Sequence, residues 1–122
     1  MKTLDSRYVF LHDELLDSGG YPSDCPFNSS RAGRTRDALE SLGLLGMGTG
    51  RVIRPSPVTR ALLERFHTSE YLDILRRAGL GEHDYQSLRH GLGTPDCPLF
   101  KDMYDYLRLA AGGATLRCRV KP

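Results

Sequence analysis

Apolar and polar positions along the 122 residues fall into a few distinct rhythms. The first is RYVFLH, Arg7 to His12, an unbroken β-branched and aromatic run closed by charged residues. It predicts a short strand interior to a sheet. From Asp13 to Asn28 the rhythm is lost. Gly19, Gly20, Pro22 and Pro26 stand among Ser and Asp, the composition of a long loop. A loop of that length is uncommon inside a compact domain unless it forms a binding rim, which makes this one a functional candidate. Ser29 or Ser30 then caps a helix running to about Leu42, with Ala38, Leu39 and Leu42 inward and Gly43 as its stop. Arg31, Arg34 and Arg36 fall in its first turns, where the helix dipole disfavours cations, so a counter-charge is expected from elsewhere. Glycines 46, 48 and 50 make a flexible turn, and Arg51 to Arg54 forms a second short strand ended by Pro55 and Pro57. Strand, helix, strand in this order predicts a right-handed βαβ unit with parallel pairing.

The second half is helical in rhythm. Thr59 caps a helix with Leu62, Leu63 and Phe66 inward, and the chain breaks and restarts at His67. Thr68 caps the next helix, which puts Tyr71, Ile74, Leu75 and Ala78 on one side and ends at Gly79. Gly81 to His90 is polar and without clear period, as in a surface connection. In GLGTPDCP, Gly91 to Pro98, the glycines permit unusual backbone angles and the prolines fix theirs, so Asp96 is held in a stiff loop. Pro98 suits a first helical position. Beyond it Leu99, Met103, Tyr106, Leu107, Ala110, Ala111 and Ala114 recur at steps of three and four, the mark of a helix burying one stripe. The last residues, ATLRCRVKP, carry Arg117, Arg119 and Lys121 as a basic tail that completes no recognisable element.

Composition narrows the function. With 39% apolar and 26% charged residues the chain belongs with ordinary folded domains. It has no apolar run of bilayer length and no hydrophobic signal core in MKTLDSRYVF, so no membrane association and a cytoplasmic location are expected. Seventeen basic residues against fifteen acidic ones leave a net charge of +2 with no basic face, and nucleic-acid binding is not expected. Cys25, Cys97 and Cys118 are too widely spaced for a zinc pair and odd in number, which reads as reduced structural thiols. Zinc hydrolysis needs clustered Asp and His ligands, one open coordination position and a general base. His12, His67, His83 and His90 form no HxxxH, HxH or HH pair, so no catalytic and no metal-binding residue is assigned.

The wording of three stretches adds a family resemblance. Thr94-Pro95-Asp96-Cys97-Pro98, followed by Phe100, Tyr104, Ala111, Gly112 and Gly113, resembles the Asp-Cys-Pro loop and Ala-Gly-Gly helix of the zinc-dependent histone deacetylase family. That family includes acetoin-utilisation proteins and acetylpolyamine amidohydrolases. FHTSEYLDIL, Phe66 to Leu75, is similar to the family's helix junction, and Pro26 and Arg31 stand at its Pro-x-x-x-x-Arg spacing. Where the family usually has His before that Pro, this chain has Cys25. The resemblance covers roughly Tyr8 to Gly113. It implies an α/β chain, the N-terminal part of a three-layer α-β-α arginase/deacetylase-like fold with a parallel sheet, with residues 1–122 forming a single, apparently incomplete domain. It implies that Asp96 sits at the substrate rim, accepting amide hydrogen bonds, and that Arg31 lines an inner cavity thought to pass acetate. The competing readings are that Asp96 only stabilises the following helix and that Arg31 is a salt-bridged surface residue. His67 is expected to be a packed, hydrogen-bonded histidine. Zinc is expected for the complete family domain, with ligands outside the matched region. The expected activity is amide hydrolysis of acetylated lysine or polyamine, with this chain truncated before the zinc site and inactive alone unless a complementary C-terminal fragment supplies the rest. The alternative is a non-catalytic interaction module that associates with itself or with such a fragment.

Overall fold

The computed structural model describes residues 8–46 and 50–119. Arg7, Gly48 and Lys121, which enter the expectations above, lie outside them. Strand β1, Tyr8–Leu11, leads into a short helix α1, Glu14–Asp17, and then helix α2, Arg31–Ser41. Strand β2, Gly50–Ile53, is followed by α3, Arg60–Leu63, α4, Ser69–Gly79, α5, Tyr85–Arg89, and α6, Met103–Arg119. β1 and β2 pair in parallel, Tyr8 opposite Gly50 and Leu11 opposite Ile53. The parallel βαβ order is therefore as expected. Among the described residues the sheet has two strands, so β1 is not flanked on both sides as an interior strand would be.

Local chemistry explains most element boundaries. Thr59 and Thr68 each accept a hydrogen bond from a first-turn amide, of Leu62 and Tyr71 respectively. Arg60 then joins α3 to α4, with its guanidinium 2.7 Å from the Asp73 carboxylate and donating to the Ser69 carbonyl. The core lies between α4 and α6. Ile74, Leu75 and Ala78 pack there with Leu92, Phe100 and Met103, and Leu72 is also buried. The apolar period of α4 therefore decides its packing.

Several expectations are corrected. Ala38 and Leu42 do not point inward; both are exposed, Leu42 to 72%, and the buried position of α2 is Gly33. Phe66 is likewise 88% exposed, because α3 stops at Leu63 and the chain turns before Phe66 can reach the core. The loop after β1 contains α1, capped by the Asp13 side chain. Gly81 to His90 contains α5, nucleated by a reciprocal capping box between Asp84 and Ser87. Gly79 does not end α4 by a left-handed turn. It is the last helical residue, buried near Met103, and the positive φ falls at Gly81.

Pro98 does not begin a helix. Leu99 and Phe100 turn into the core and Asp102 adopts φ +60°, so α6 starts only at Met103. Its stripe also differs from the one expected: Met103, Leu109 and Gly112 are buried, while Ala110 and Ala114 are exposed. The helix continues to Arg119, so ATLRCR is its last part and not a separate tail. Gly112 sits mid-helix because α6 crosses the segment after β2 at close range. A Cβ there would lie 2.8 Å from the Ser56 carbonyl carbon and nearer still to its oxygen. Two further bonds hold the same crossing: the Val58 amide donates to the Arg108 carbonyl at 3.1 Å, and Arg108 Nε donates to the Val58 carbonyl at 2.9 Å. Among the described residues no helix is long and apolar enough to cross a membrane.

Candidate functional site

The Asp96 loop is shaped by its own backbone. Gly91 and Gly93 take φ of +80° and +82°, which side chains other than glycine resist. The Cys97 amide donates to the Thr94 carbonyl at 3.1 Å, closing a β-turn with Pro95 and Asp96 at its centre. The Gly93 amide donates to the Cys97 carbonyl at 2.9 Å and Thr94 Oγ1 to the Gly91 carbonyl at 2.7 Å, so the base of the turn is tied twice more. Asp96 is exposed at the tip, and among the described residues no donor or cation pairs with its carboxylate. The helix-stabilising alternative for Asp96 is thereby removed: α6 begins seven residues later, and the acid in its first turn is Asp105.

Tyr21 connects this loop to the rest. Its ring lies 4.7 Å from Phe27, 4.3 Å from Phe100 and 5.7 Å from Tyr106, measured between centroids. Burial pushes its phenol above the ordinary value, and the nearby Cys25 and Cys97 add to the shift. The same burial raises Tyr106, and Tyr71 as well. Cys25 and Cys97 are both half-buried free thiols.

Beyond the aromatic cluster, Arg31 lines an open cavity of about 580 Å³ whose walls include Leu11, Leu16, Phe27 and Tyr106. Its side chain makes no ion pair among the described residues, so the salt-bridged alternative is not what the structure contains. Arg36, by contrast, is held by Asp37 at 3.2 Å. That side-chain hydrogen bond raises its pKa, with Glu40 and Asp17 contributing further negative charge. The cavity that Arg31 lines does not include Asp96 among its walls. Phe27, which lines that cavity, lies against Tyr21, and Tyr21 and Cys97 pack against the same core cluster. The His67 ring is packed between Phe66, at 4.8 Å, and Tyr71, at 5.3 Å, and its backbone amide donates to Leu63; among the described residues its ring makes no hydrogen bond, so the expected hydrogen-bonded ring is not seen there.

One polar cluster was not anticipated from the residues. His12, 2% exposed at the end of β1, donates from Nε2 to Asp17 Oδ2 at 3.0 Å, and Asp17 Oδ1 accepts from the Gly33 amide at 2.8 Å. A Cβ on Gly33 would lie 2.7 Å from the Asp17 carboxyl carbon, which explains the glycine. The available signal was the basic first turn of α2, which carries no acid of its own. Among the described residues no three His, Cys, Asp or Glu side chains converge as a metal site would require, so these residues do not fit a catalytic zinc.

Two parallel strands joined by a helical crossover define an α/β unit. The chain belongs to the histone deacetylase domain family, whose model matches residues 25–120. It is 27% identical to the acetoin utilization protein AcuC of Bacillus subtilis over 86% of this chain and 27% of that protein. It is 30% identical to histone deacetylase 3 of Oryza sativa over 88% of this chain and 22% of that protein. With histone deacetylase 8 of Xenopus tropicalis it shares 38% identity over 70% of this chain and 23% of that protein. The chain thus spans about a quarter of the length of these curated relatives.

Proposed function

We propose that these residues form the substrate-rim and inner-cavity section of a zinc-dependent deacetylase acting on acetylated lysine or polyamine, and that hydrolysis requires further family sequence besides them. The observation that carries this reading is the family match across residues 25–120 together with the exposed carboxylate of Asp96 at the tip of its tied loop. A carboxylate accepting substrate amide N–H bonds contributes about 1.5 to 3 kcal/mol each and orients the acyl chain without moving itself. Arg31 would receive the released carboxylate in its cavity. Zinc supplies Lewis-acid activation of water in such enzymes, and its ligands would come from residues outside this set.

The test is titration of the chain with an acetyl-lysine amide peptide, followed by the Asp96 and Cys97 amide resonances. The expected result is binding that weakens at least tenfold in Asp96→Ala. Equal affinity in the variant would remove the rim assignment. A second reading rests on the exposed apolar side chains of Tyr8, Leu44 and Val52 around the two-stranded sheet, which favour association with a complementary fragment or a second copy. Light scattering that gives a monomer at high concentration would count against self-association.

A further inference from the structure

The cluster formed by His12, Asp17 and Gly33 ties three separate segments to a single carboxylate, and the rim reading above makes no use of it. Ser30, at the N-cap of α2, makes no side-chain capping bond; its hydroxyl is engaged with Asn28 instead. The acceptor that a local cap would have offered to the third helical amide comes from Asp17, sixteen residues earlier. Asp17 is itself fixed from behind. His12 Nε2 grips Oδ2, the His12 amide donates to the Ile53 carbonyl at 3.1 Å, and Ser29 Oγ donates to the Asp17 carbonyl at 3.0 Å. A negative charge at this point also answers the dipole and the basic first turns of α2.

The consequence falls on Arg31, the first residue of that helix. Leu11 and Leu16, the neighbours of His12 and Asp17 in sequence, are walls of the cavity that Arg31 lines. One carboxylate therefore sets both the wall and the arginine. We propose that Asp17, held by His12, is the positioning residue that caps α2 from a distance and aims Arg31 into its cavity. This rests on the reading of Arg31 as a carboxylate-binding residue. Close approach makes Gly33 part of the device, since only glycine lets the carboxylate reach the amide.

The experiment uses the full chain, with sodium acetate as the probe, and two readouts: hydrogen exchange of the Gly33 amide, and the Arg31 Nε–H resonance during titration. In Asp17→Ala the Gly33 amide is expected to exchange at least tenfold faster, and acetate affinity to fall at least tenfold, to the level of Arg31→Met. Asp17→Asn retains a carbonyl acceptor and is expected to restore both. Faster exchange at Gly33 with undiminished acetate affinity would reduce Asp17 to a cap and overturn the proposal. If Asp17→Ala does not fold, Asp17→Asn decides alone: an Arg31 resonance that moves while Gly33 stays protected contradicts positioning through the cap. Should wild type and Arg31→Met bind acetate equally, the carboxylate-binding reading falls. The positioning claim is then judged by the Arg31 resonance, and no shift in Asp17→Ala overturns it.

Discussion

Gly112 and Gly113 are adjacent in α6, and the packing assigns opposite outcomes to the same substitution at each. At Gly112 an added methyl meets the carbonyl of Ser56, and the obstacle is backbone, which cannot rotate away as a side chain would. At Gly113 the nearest atom is the Pro55 Cβ at 3.9 Å, an ordinary contact. Replacing glycine by alanine inside a helix gains about 1 kcal/mol from backbone propensity alone. Gly113→Ala should therefore stabilise the chain by about 1 kcal/mol, or roughly 4 °C in Tm. In Gly112→Ala the crossing of α6 over the segment after β2 must open, at an overpacking cost of about 3 kcal/mol. The net loss is about 2 kcal/mol after the propensity gain, roughly 8 °C in Tm. The bonds between Val58 and Arg108 resist that opening, so strain spreads along α6 instead of being relieved at one end. Thermal and urea unfolding followed by circular dichroism measure both variants. A Gly112→Ala protein as stable as wild type, or a destabilised Gly113→Ala, would refute the placement of α6.

Other outcomes follow from the same contacts. Thr68→Ala removes the cap of the helix that carries Leu72, Ile74 and Leu75, and should cost about 1 kcal/mol in urea unfolding. Gly33→Ala pushes the Asp17 carboxylate off the α2 amide; it should destabilise by about 1 to 3 kcal/mol even though alanine is the better helix former, and a stabilised variant would contradict the close approach. The half-buried phenols of Tyr21, Tyr71 and Tyr106 hold their protons more tightly than in the unfolded chain, where the value is 10.0. Their contribution is complete below that pH and is lost as pH rises above it, so Tm should fall with increasing alkalinity. Tyr21→Phe should shrink that fall, and an unchanged slope would show that burial is not its cause.

How much of this was legible depends on the range of the interaction involved. The Thr68 cap and the α4 stripe are legible because cap and period act within one or two turns. Parallel pairing of the two strands followed from their order and spacing. The tied geometry of the Asp96 loop was legible from two glycines and two prolines, and its wording also carried the family. Errors arose where a distant segment decides. Leu42 and Phe66 look like core residues by type, yet α2 turns Gly33 inward and α3 ends too early for Phe66 to pack. Pro98 fits a helix start, but burial of Phe100 and the left-handed turn at Asp102 postpone it to Met103. The bond from Asp17 to Gly33 spans sixteen residues and has no local signature beyond a helix start without an acid.

On the reading proposed above, these residues carry the rim and the inner cavity of a deacetylase whose metal and catalysis come from further family sequence. Calorimetry of zinc binding by the chain, run alongside turnover of an acetyl-lysine peptide with added zinc, separates this reading from a self-sufficient enzyme. No stoichiometric zinc and no turnover are expected, with peptide binding that still depends on Asp96. One zinc per chain with sustained deacetylation would contradict it.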